Sequence, residues 1–256
     1  MNNGDSGAHL QMQQRGQQPK VAQVVAQSVA EFILSQDLKP GDALPNEREM
    51  TELLGVARST LREGLRLLET QGVISIRPGR GGGPVVREQR SADLATSMTL
   101  MLQSMRVSFG IVVEARSAIE PEIARMAALH CTDAQLEELR VVLEAMLATT
   151  NQAGAFRSAY NHFHGLLGEM TNNVVLEVVQ ATLRQVSEPL HEQVDWGPRS
   201  GRAAVQTHVR LFDAVEAGDA ATAESELADH MHWYRQYFER RYPELLAQMV
   251  RWVPSA

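Results

Sequence analysis

Between residues 46 and 88 the pattern of apolar residues changes abruptly from a helical to an extended period. The segment NEREMTELLG has helical spacing and opens with Asn46 and Glu49, the pattern of a capping box. Three residues further on, a second helical segment covers residues 59–70 and ends near Gly72. The alternating segments VISIR and VVR then flank the turn-prone PGRGGGP. This order predicts two short helices joined by a tight turn and followed by a β-hairpin, which we interpret as a winged helix-turn-helix.

Positive charge is concentrated in this part of the chain, although the whole chain carries a net charge of −7. Residues 56–90 sum to +4, and every positive residue among them is an arginine. Arg58 and Arg62 lie one turn apart on the second helix, beside Ser59 and Thr60 at its N-terminal end. In a winged helix-turn-helix this helix enters the DNA major groove, where such side chains meet phosphates and base edges. The glycine-rich turn is not a nucleotide P-loop, because no GK[ST] follows it.

The composition is that of an ordinary globular protein, with 44% hydrophobic and 21% charged residues. No apolar run approaches the roughly 18 residues of a membrane span, and the N-terminus lacks the order of a signal peptide. We therefore expect a cytoplasmic protein with no membrane partner. The single cysteine, Cys131, excludes an internal disulfide and a multi-cysteine zinc site. Residues 1–19, rich in Gln, Asn and Gly, are predicted to be a disordered tail.

The chain divides into two predicted domains of different charge. Residues 20–88 form the winged helix-turn-helix domain, residues 89–95 a linker, and residues 96–247 an all-α helical bundle. The formal charge is +1 over residues 1–90 and −8 over the remainder. Beyond the linker no strand pattern interrupts the helical period. Helices are expected over 91–104, 109–130, 133–150, 153–171, 173–194, 201–217 and 219–247. The fold class is thus mainly α, with one small β-hairpin.

Three histidines of the bundle share helical stripes with apolar residues. His164 aligns with Phe156 and Leu167, while His208 and His230 lie on comparable stripes of two later helices. All three are expected to point inward, whereas His162, His232, His9, His130 and His191 are expected at the surface. A single inward histidine is most often a core residue satisfied by a hydrogen bond. Three from three helices could also converge on a divalent metal, and spacing alone leaves both readings open.

The N-terminal segment resembles the DNA-binding domain of the GntR family of bacterial transcription regulators. The likeness covers LKPGDALPNEREMTELLGVARSTLREGLRLLETQGVISIRPGRGGGPVV from before the second helix to the wing. It implies DNA contacts by a set of residues on the two helices and the wing tip: Arg48, Arg58, Ser59, Thr60, Arg62, Gly79 and Arg80. One departure is Ala57, where the family usually has a serine that can cap the recognition helix.

The C-terminal part resembles the FCD ligand-binding domain of the FadR subfamily. EARSAIEPEIARMAA, NHFHGLLGEMTNN and THVRLFDAVEAGDAATAESELADHM carry the likeness. In that family an Asp and three His hold a metal, often zinc or nickel, with a small carboxylate ligand against it. His164, His208 and His230 match the three His positions, but Tyr160 replaces the Asp. Three imidazoles can still hold a metal if water or a ligand carboxylate completes the shell. Without a metal, the cluster would serve as a polar pocket for an organic ligand.

Three further residues are candidates for contact with the effector. Arg116 shares a stripe with Val112 and Ile123, so its guanidinium should point inward, where an unpaired charge is costly. Its partner is either an internal carboxylate or, as the resemblance implies, the carboxylate of an effector. Tyr160 lies within the same group of helices. Asn173 matches a family Asn, although a role as the C-cap of the preceding helix is equally consistent.

These observations predict a ligand-responsive bacterial transcription regulator, a repressor rather than an enzyme. Its helical domains would pair to form a homodimer on a near-palindromic double-stranded DNA operator, with a small carboxylate as effector. The alternatives are an architectural DNA-binding protein whose bundle only dimerises, and a metalloenzyme using the three histidines. The sequence shows no general base placed near the cluster that a metalloenzyme could use.

Overall fold

A computed structural model describes residues 20–79, 82–88, 90–194 and 198–252. The expected tail, residues 1–19, and the wing residue Arg80 lie outside these ranges. The chain divides into two compact units, residues 1–89 and 90–256. The first contains three helices and a two-stranded sheet, and the second is helical, so the predicted fold class is confirmed.

The first unit is built on α1 (Val21–Ser35), α2 (Glu47–Leu54) and α3 (Arg58–Thr70). Asn46 caps α2, and its side chain and that of Glu49 each accept the other's backbone N–H, the reciprocal pair that the sequence predicted. Gly55 ends α2 in the left-handed conformation, with φ of 62°. At the start of α3, Ala57 makes no side-chain cap. The first N–H groups of this helix therefore remain available to a ligand.

The wing consists of β1 (Ile74–Arg77) and β2 (Gly83–Val86). The strands are antiparallel, with Ile74 opposite Val86 and Arg77 opposite Gly83. A short bridge between Ala43 and Val85 attaches the loop before α2 to the same sheet. The core beneath joins apolar residues from α1, α3 and the sheet, among them Val25, Val29, Leu61, Leu65 and Ile74. The wing is thus fixed to the helices at its base.

Helix α3 crosses α1 closely because Gly64 has no side chain. A Cβ at position 64 would lie 2.7 Å from Cγ1 of Val25 and 3.1 Å from the carbonyl oxygen of Ala22. Real Cβ atoms do not approach other atoms this closely, so a larger residue would push the two helices apart. Gly64 therefore determines how closely the recognition helix α3 packs against α1.

The described residues of the second unit form eight helices. They are α4 (Ser91–Ser104), α5 (Phe109–His130), α6 (Asp133–Ala148), α7 (Ala153–Met170), α8 (Val174–Glu192), α9 (Pro198–Glu216), α10 (Ala220–Arg241) and α11 (Pro243–Ala247). Helices α5 and α10 pack along each other through the middle of the unit. Within the described residues, no helix combines the length and apolar character needed to cross a bilayer.

Both ends of this unit differ from the sequence-based boundaries. Helix α4 covers Ser91–Ser104, the range that the helical period predicted, so most of the residues assigned to the linker, 89–95, are helical. At the other end, the backbone N–H of Val250 donates to the carbonyl of Val107 at 2.9 Å, and Val250 is fully buried. Residues beyond 247 therefore contribute to the core of the unit. Periodicity could not reveal this, because a single extended segment packed in a loop has no helical repeat.

Candidate DNA-binding surface and effector site

The side chains predicted to contact DNA lie together on α2 and α3. Arg48, Arg58, Ser59 and Arg62 are exposed, and Thr60 is half-buried. Gly79 at the wing is exposed and has φ of 101°, a left-handed conformation that favours glycine. The exposed arginines belong to the N-terminal half of α3 and to the helix before it. This surface can supply guanidinium groups and helix N–H donors to a phosphate backbone.

Arg62 is oriented by a carboxylate on the preceding helix. Its Nε donates to both oxygens of Glu47, at 2.9 Å and 3.1 Å. Only Nε is used in this contact, so the two terminal nitrogens remain available to other acceptors. Sequence analysis did not identify Glu47, although it precedes Arg48 directly.

His164, His208 and His230 come together in the second unit as the sequence predicted. One ring nitrogen from each lies within 4.8 Å of those of the other two, and all three side chains are buried. Nε2 of His164 is 3.1 Å from Nε2 of His208. Burial lowers the pKa of all three imidazoles, that of His208 to about 3. At neutral pH the cluster therefore consists of uncharged rings, the form in which imidazole binds metals.

Arg116 and Glu120 form a buried ion pair next to these rings. Nε of Arg116 donates to Oε1 of Glu120 at 2.7 Å, and the side chains are 2% and 0% exposed. Burial opposes both charges, but the partner's charge and the hydrogen bonds and other neighbouring groups together outweigh it. The pKa of Glu120 is therefore lowered and that of Arg116 is raised. The internal-carboxylate alternative for Arg116 is thus present in the structure. Nη1 of Arg116 is buried and has no hydrogen-bond partner among the described residues.

Glu120 also reaches His164, which restricts the tautomer of that ring. Oε2 of Glu120 lies 3.0 Å from Nδ1 of His164. Nδ1 of His208 is 2.7 Å from the carbonyl of Ala204, to which it must donate, so Nε2 of His208 carries a lone pair. If His164 is protonated on Nδ1, its Nε2 lone pair faces that of His208 at 3.1 Å. If it is protonated on Nε2, its Nδ1 lone pair faces the carboxylate of Glu120. Neither neutral tautomer satisfies both neighbours, whereas a cation between the Nε2 atoms would.

Tyr160 occupies the position one turn before His164, and its hydroxyl lies 2.8 Å from Nε2 of His230. Burial raises the pKa of this phenol, which therefore stays protonated and neutral. Nδ1 of His230 is buried without a hydrogen-bond partner in the described part of the chain. Tyr160 thus binds a histidine of the cluster instead of adding a negative charge.

A cavity of about 20 Å³ adjoins the cluster between α7, α8, α9 and α10. Most of its walls are rings, contributed by Phe156, Tyr160, His191, His230, Trp233 and Tyr234. The prediction that His191 lies at the surface was wrong, because it is 5% exposed and its ring contacts the hydroxyl of Tyr234. The missed signal was its spacing of four from Ser187 and eight from Leu183, both buried.

Asn173 does not reach this cavity. It is exposed, and its Oδ1 accepts the backbone N–H groups of Val175 and Leu176, which makes it the N-cap of α8. The effector role expected for Asn173 is therefore not supported, and the C-cap alternative is also wrong. The unsatisfied N–H groups at the start of a helix explain why an asparagine stands here.

Two family models match the chain. The model of bacterial regulatory proteins of the gntR family matches residues 21–82, and the FCD domain model matches residues 112–232. A winged helix-turn-helix followed by this helical domain defines a ligand-responsive transcription regulator, not an enzyme. The chain belongs to the GntR family, in the group with an FCD domain that includes the FadR subfamily.

Named relatives cover more than four fifths of the chain. It is 29% identical over 234 residues to the putative L-lactate dehydrogenase operon regulatory protein of Escherichia coli K12, covering 86% of this chain and 87% of that protein. It is 28% identical to the Glc operon transcriptional activator of the same strain, covering 82% and 86%. Among solved structures, Streptococcus agalactiae GntR matches with a TM-score of 0.68 and 23% identity, over 84% of this chain and 99% of that one. The last comparison supports the fold.

Proposed function

We propose that the protein is a repressor that binds a near-palindromic operator as a homodimer and is released by a small carboxylate metabolite. The observation that supports this proposal most strongly is the cluster of three buried, neutral histidines beside the Arg116–Glu120 pair. An ordinary apolar core would not retain so many polar groups, and two of their atoms, Nη1 of Arg116 and Nδ1 of His230, lack partners among the described residues. A relative is named for an L-lactate dehydrogenase operon, and lactate is itself a small carboxylate.

The donor set of this site suits a divalent cation such as zinc or nickel. His164 and His208 would bind it through Nε2, with their Nδ1 atoms held by Glu120 and Ala204, as outer partners commonly hold metal-bound histidines. His230 would bind either through Nδ1 or through Nε2 after displacing Tyr160. When bound, the metal would supply a Lewis-acidic position for an effector carboxylate. Nη1 of Arg116 would donate to the same carboxylate.

Effector binding requires side-chain movement at the cavity. About 20 Å³ is close to the space that one water needs. The half-buried residues of the lining, whose side chains are the least confined, are Arg157, Tyr160, Asn161 and Trp233. We propose that this rearrangement lowers operator affinity, a coupling that needs only ~1–3 kcal/mol.

DNA recognition is assigned to α3, with Arg58 and Arg62 on base edges or phosphates and Arg48 and Ser59 beside them. A dimer would place two such helices about one DNA turn apart on the operator. Relatives are named both activator and repressor. We propose repression, because occupancy of an operator suffices for it. Action on chromosomal DNA would place the protein in the bacterial cytoplasm.

Two measurements test this proposal. Elemental analysis of the purified untagged protein should give near-stoichiometric metal, which the His208→Ala, His230→Ala variant should lose. A duplex selected by the wild-type protein from a randomised library should bind far more weakly to Arg58→Ala. Arg66→Ala is the matched control, because Arg66 is also exposed on α3 but was not predicted to contact DNA. If Arg58→Ala and Arg66→Ala both bind as tightly as the wild-type protein, Arg58 does not contact DNA. Absence of metal would leave the cluster as a polar pocket.

A further inference from the structure

Arg184 on α8 is a second guanidinium beside the effector site, and the proposed function does not yet use it. Its Nη2 donates to the backbone carbonyl of Asn161, one of the residues that line the cavity. Its Nη1 lies 3.3 Å from the point that a Cβ on Gly165 would occupy. The glycine therefore leaves room for the guanidinium against α7. Arg184 is half-buried, which is costly for a cation that lacks a counter-charge.

Arg184 differs from Arg116 in lacking a paired carboxylate among the described residues. Arg116 has Glu120 at 2.7 Å, whereas no carboxylate of the described residues forms an ion pair with Arg184. Glu188, one turn further along α8, accepts from Asn161 at 3.0 Å and lies 3.6 Å from Nε of Arg157. Burial and then the charge of Arg116 lower the pKa of Arg184, the opposite of the shift at Arg116.

Without a metal at the histidines, the described side chains of the site consequently carry one excess positive charge, and a bound divalent metal would add to it. Arg116 and Glu120 compensate each other, as do Arg157 and Glu188, and the three histidines of the cluster are neutral. The charge of Arg184 remains. Electrostatic coupling links it to Arg116, Glu120, Tyr160 and Glu188, so it lies within the field of the same site. A buried excess cation is stabilised by an anion that binds there.

We propose that Arg184 binds a second acidic group of the effector, so that the effector is a short dicarboxylate and not a monocarboxylate. This inference rests on the proposed function, in which the first carboxylate meets Arg116 and the histidines. The two guanidiniums stand on different helices with separate supports. Arg116 lies 5.7 Å from the centre of the Tyr234 ring, and Arg184 lies against α7. An anion with two carboxylates can engage both guanidiniums, whereas a monoacid can engage only one of them.

Calorimetric titration of the full chain with matched acids tests this inference. The pairs are malonate with propionate, succinate with butyrate, glutarate with valerate, and malate with 2-hydroxybutyrate, which differ by one carboxylate. The best diacid should bind at least about tenfold more tightly than its matched monoacid, the scale of one charge-assisted contact. Arg184→Gln should abolish this preference, and Arg184→Lys should keep part of it. Arg202→Gln, at an exposed arginine of α9 that does not line the cavity, should keep it fully.

The outcomes separate the inference from the function on which it rests. Monoacids that bind as tightly as their diacids would overturn the assignment of ligand class in the wild-type protein, independently of whether any variant folds. If Arg184→Gln still prefers diacids over monoacids, Arg184 does not bind the effector. A purely structural role of Arg184 would lower the stability of the variant but leave this preference unchanged. If no acid of either kind binds, the carboxylate effector itself is wrong, and the inference falls with it.

Discussion

The hydroxyl of Tyr160 lies 2.8 Å from Nε2 of His230, at the position where the family carries a metal-binding aspartate. A neutral phenol thus holds one ring of the histidine cluster, and burial keeps its pKa raised. Tyr160→Asp should return a carboxylate to the site and free His230. We expect metal affinity to rise by about tenfold or more, since even outer partners alter it on that scale.

Competition with a coloured chelator measures this change in affinity. Tyr160→Phe serves as the control, because it frees Nε2 of His230 without adding a ligand and should give a smaller gain. If Tyr160→Asp binds metal no better than the wild-type protein, position 160 does not contribute to a metal site.

The second prediction concerns the buried pair Arg116 and Glu120. Glu120→Gln would leave the guanidinium buried without its counter-charge, so the free energy of unfolding should fall by about 3–5 kcal/mol. The double variant Arg116→Met, Glu120→Met removes both charges and should lose less. Urea denaturation of the wild-type protein and both variants measures their free energies of unfolding. A double variant that is less stable than the single one would show that the pair is not energetically coupled in this way.

The third prediction concerns Glu47, which holds Nε of Arg62 at 2.9 Å and 3.1 Å. Glu47→Gln should release this arginine, so that discrimination between the selected duplex and a scrambled one decreases while non-specific binding increases. A well-placed arginine contact to a base contributes ~1–3 kcal/mol of discrimination. Fluorescence anisotropy on both duplexes provides the ratio. Glu52→Gln removes the same charge from the exposed face of α2 and should leave the ratio unchanged.

The fourth prediction concerns Gly64. Gly64→Ala would place a Cβ 2.7 Å from Cγ1 of Val25, and the resulting overpacking should cost about 1–3 kcal/mol in stability. Thermal unfolding measures the loss. Gly154→Ala is a suitable control, because a Cβ there meets no atom within 4 Å and alanine favours the helix. Equal stability of the two variants would mean that α1 and α3 can separate at no cost.

Much of this site was predictable because helical spacing determines which residues share a face. His164, His208 and His230 were identified that way, and so was the inward direction of Arg116. Glu120 could have been recognised as its i+4 neighbour, but spacing could not decide between this internal partner and an external carboxylate. Arg184 escaped because its role depends on the missing side chain of Gly165 and on which carboxylates are already engaged. These features depend on the three-dimensional structure and leave no pattern in the sequence.

The account as a whole depends on the coupling of the buried cluster to DNA binding. The most direct test is anisotropy of the selected duplex with the wild-type protein and the His208→Ala, His230→Ala variant, each titrated with short mono- and dicarboxylates. The account predicts that at least one acid weakens DNA binding of the wild-type protein by about 5–150-fold and leaves the variant unaffected. If no acid changes the wild-type affinity, or if the variant responds equally, the cluster is not the effector site.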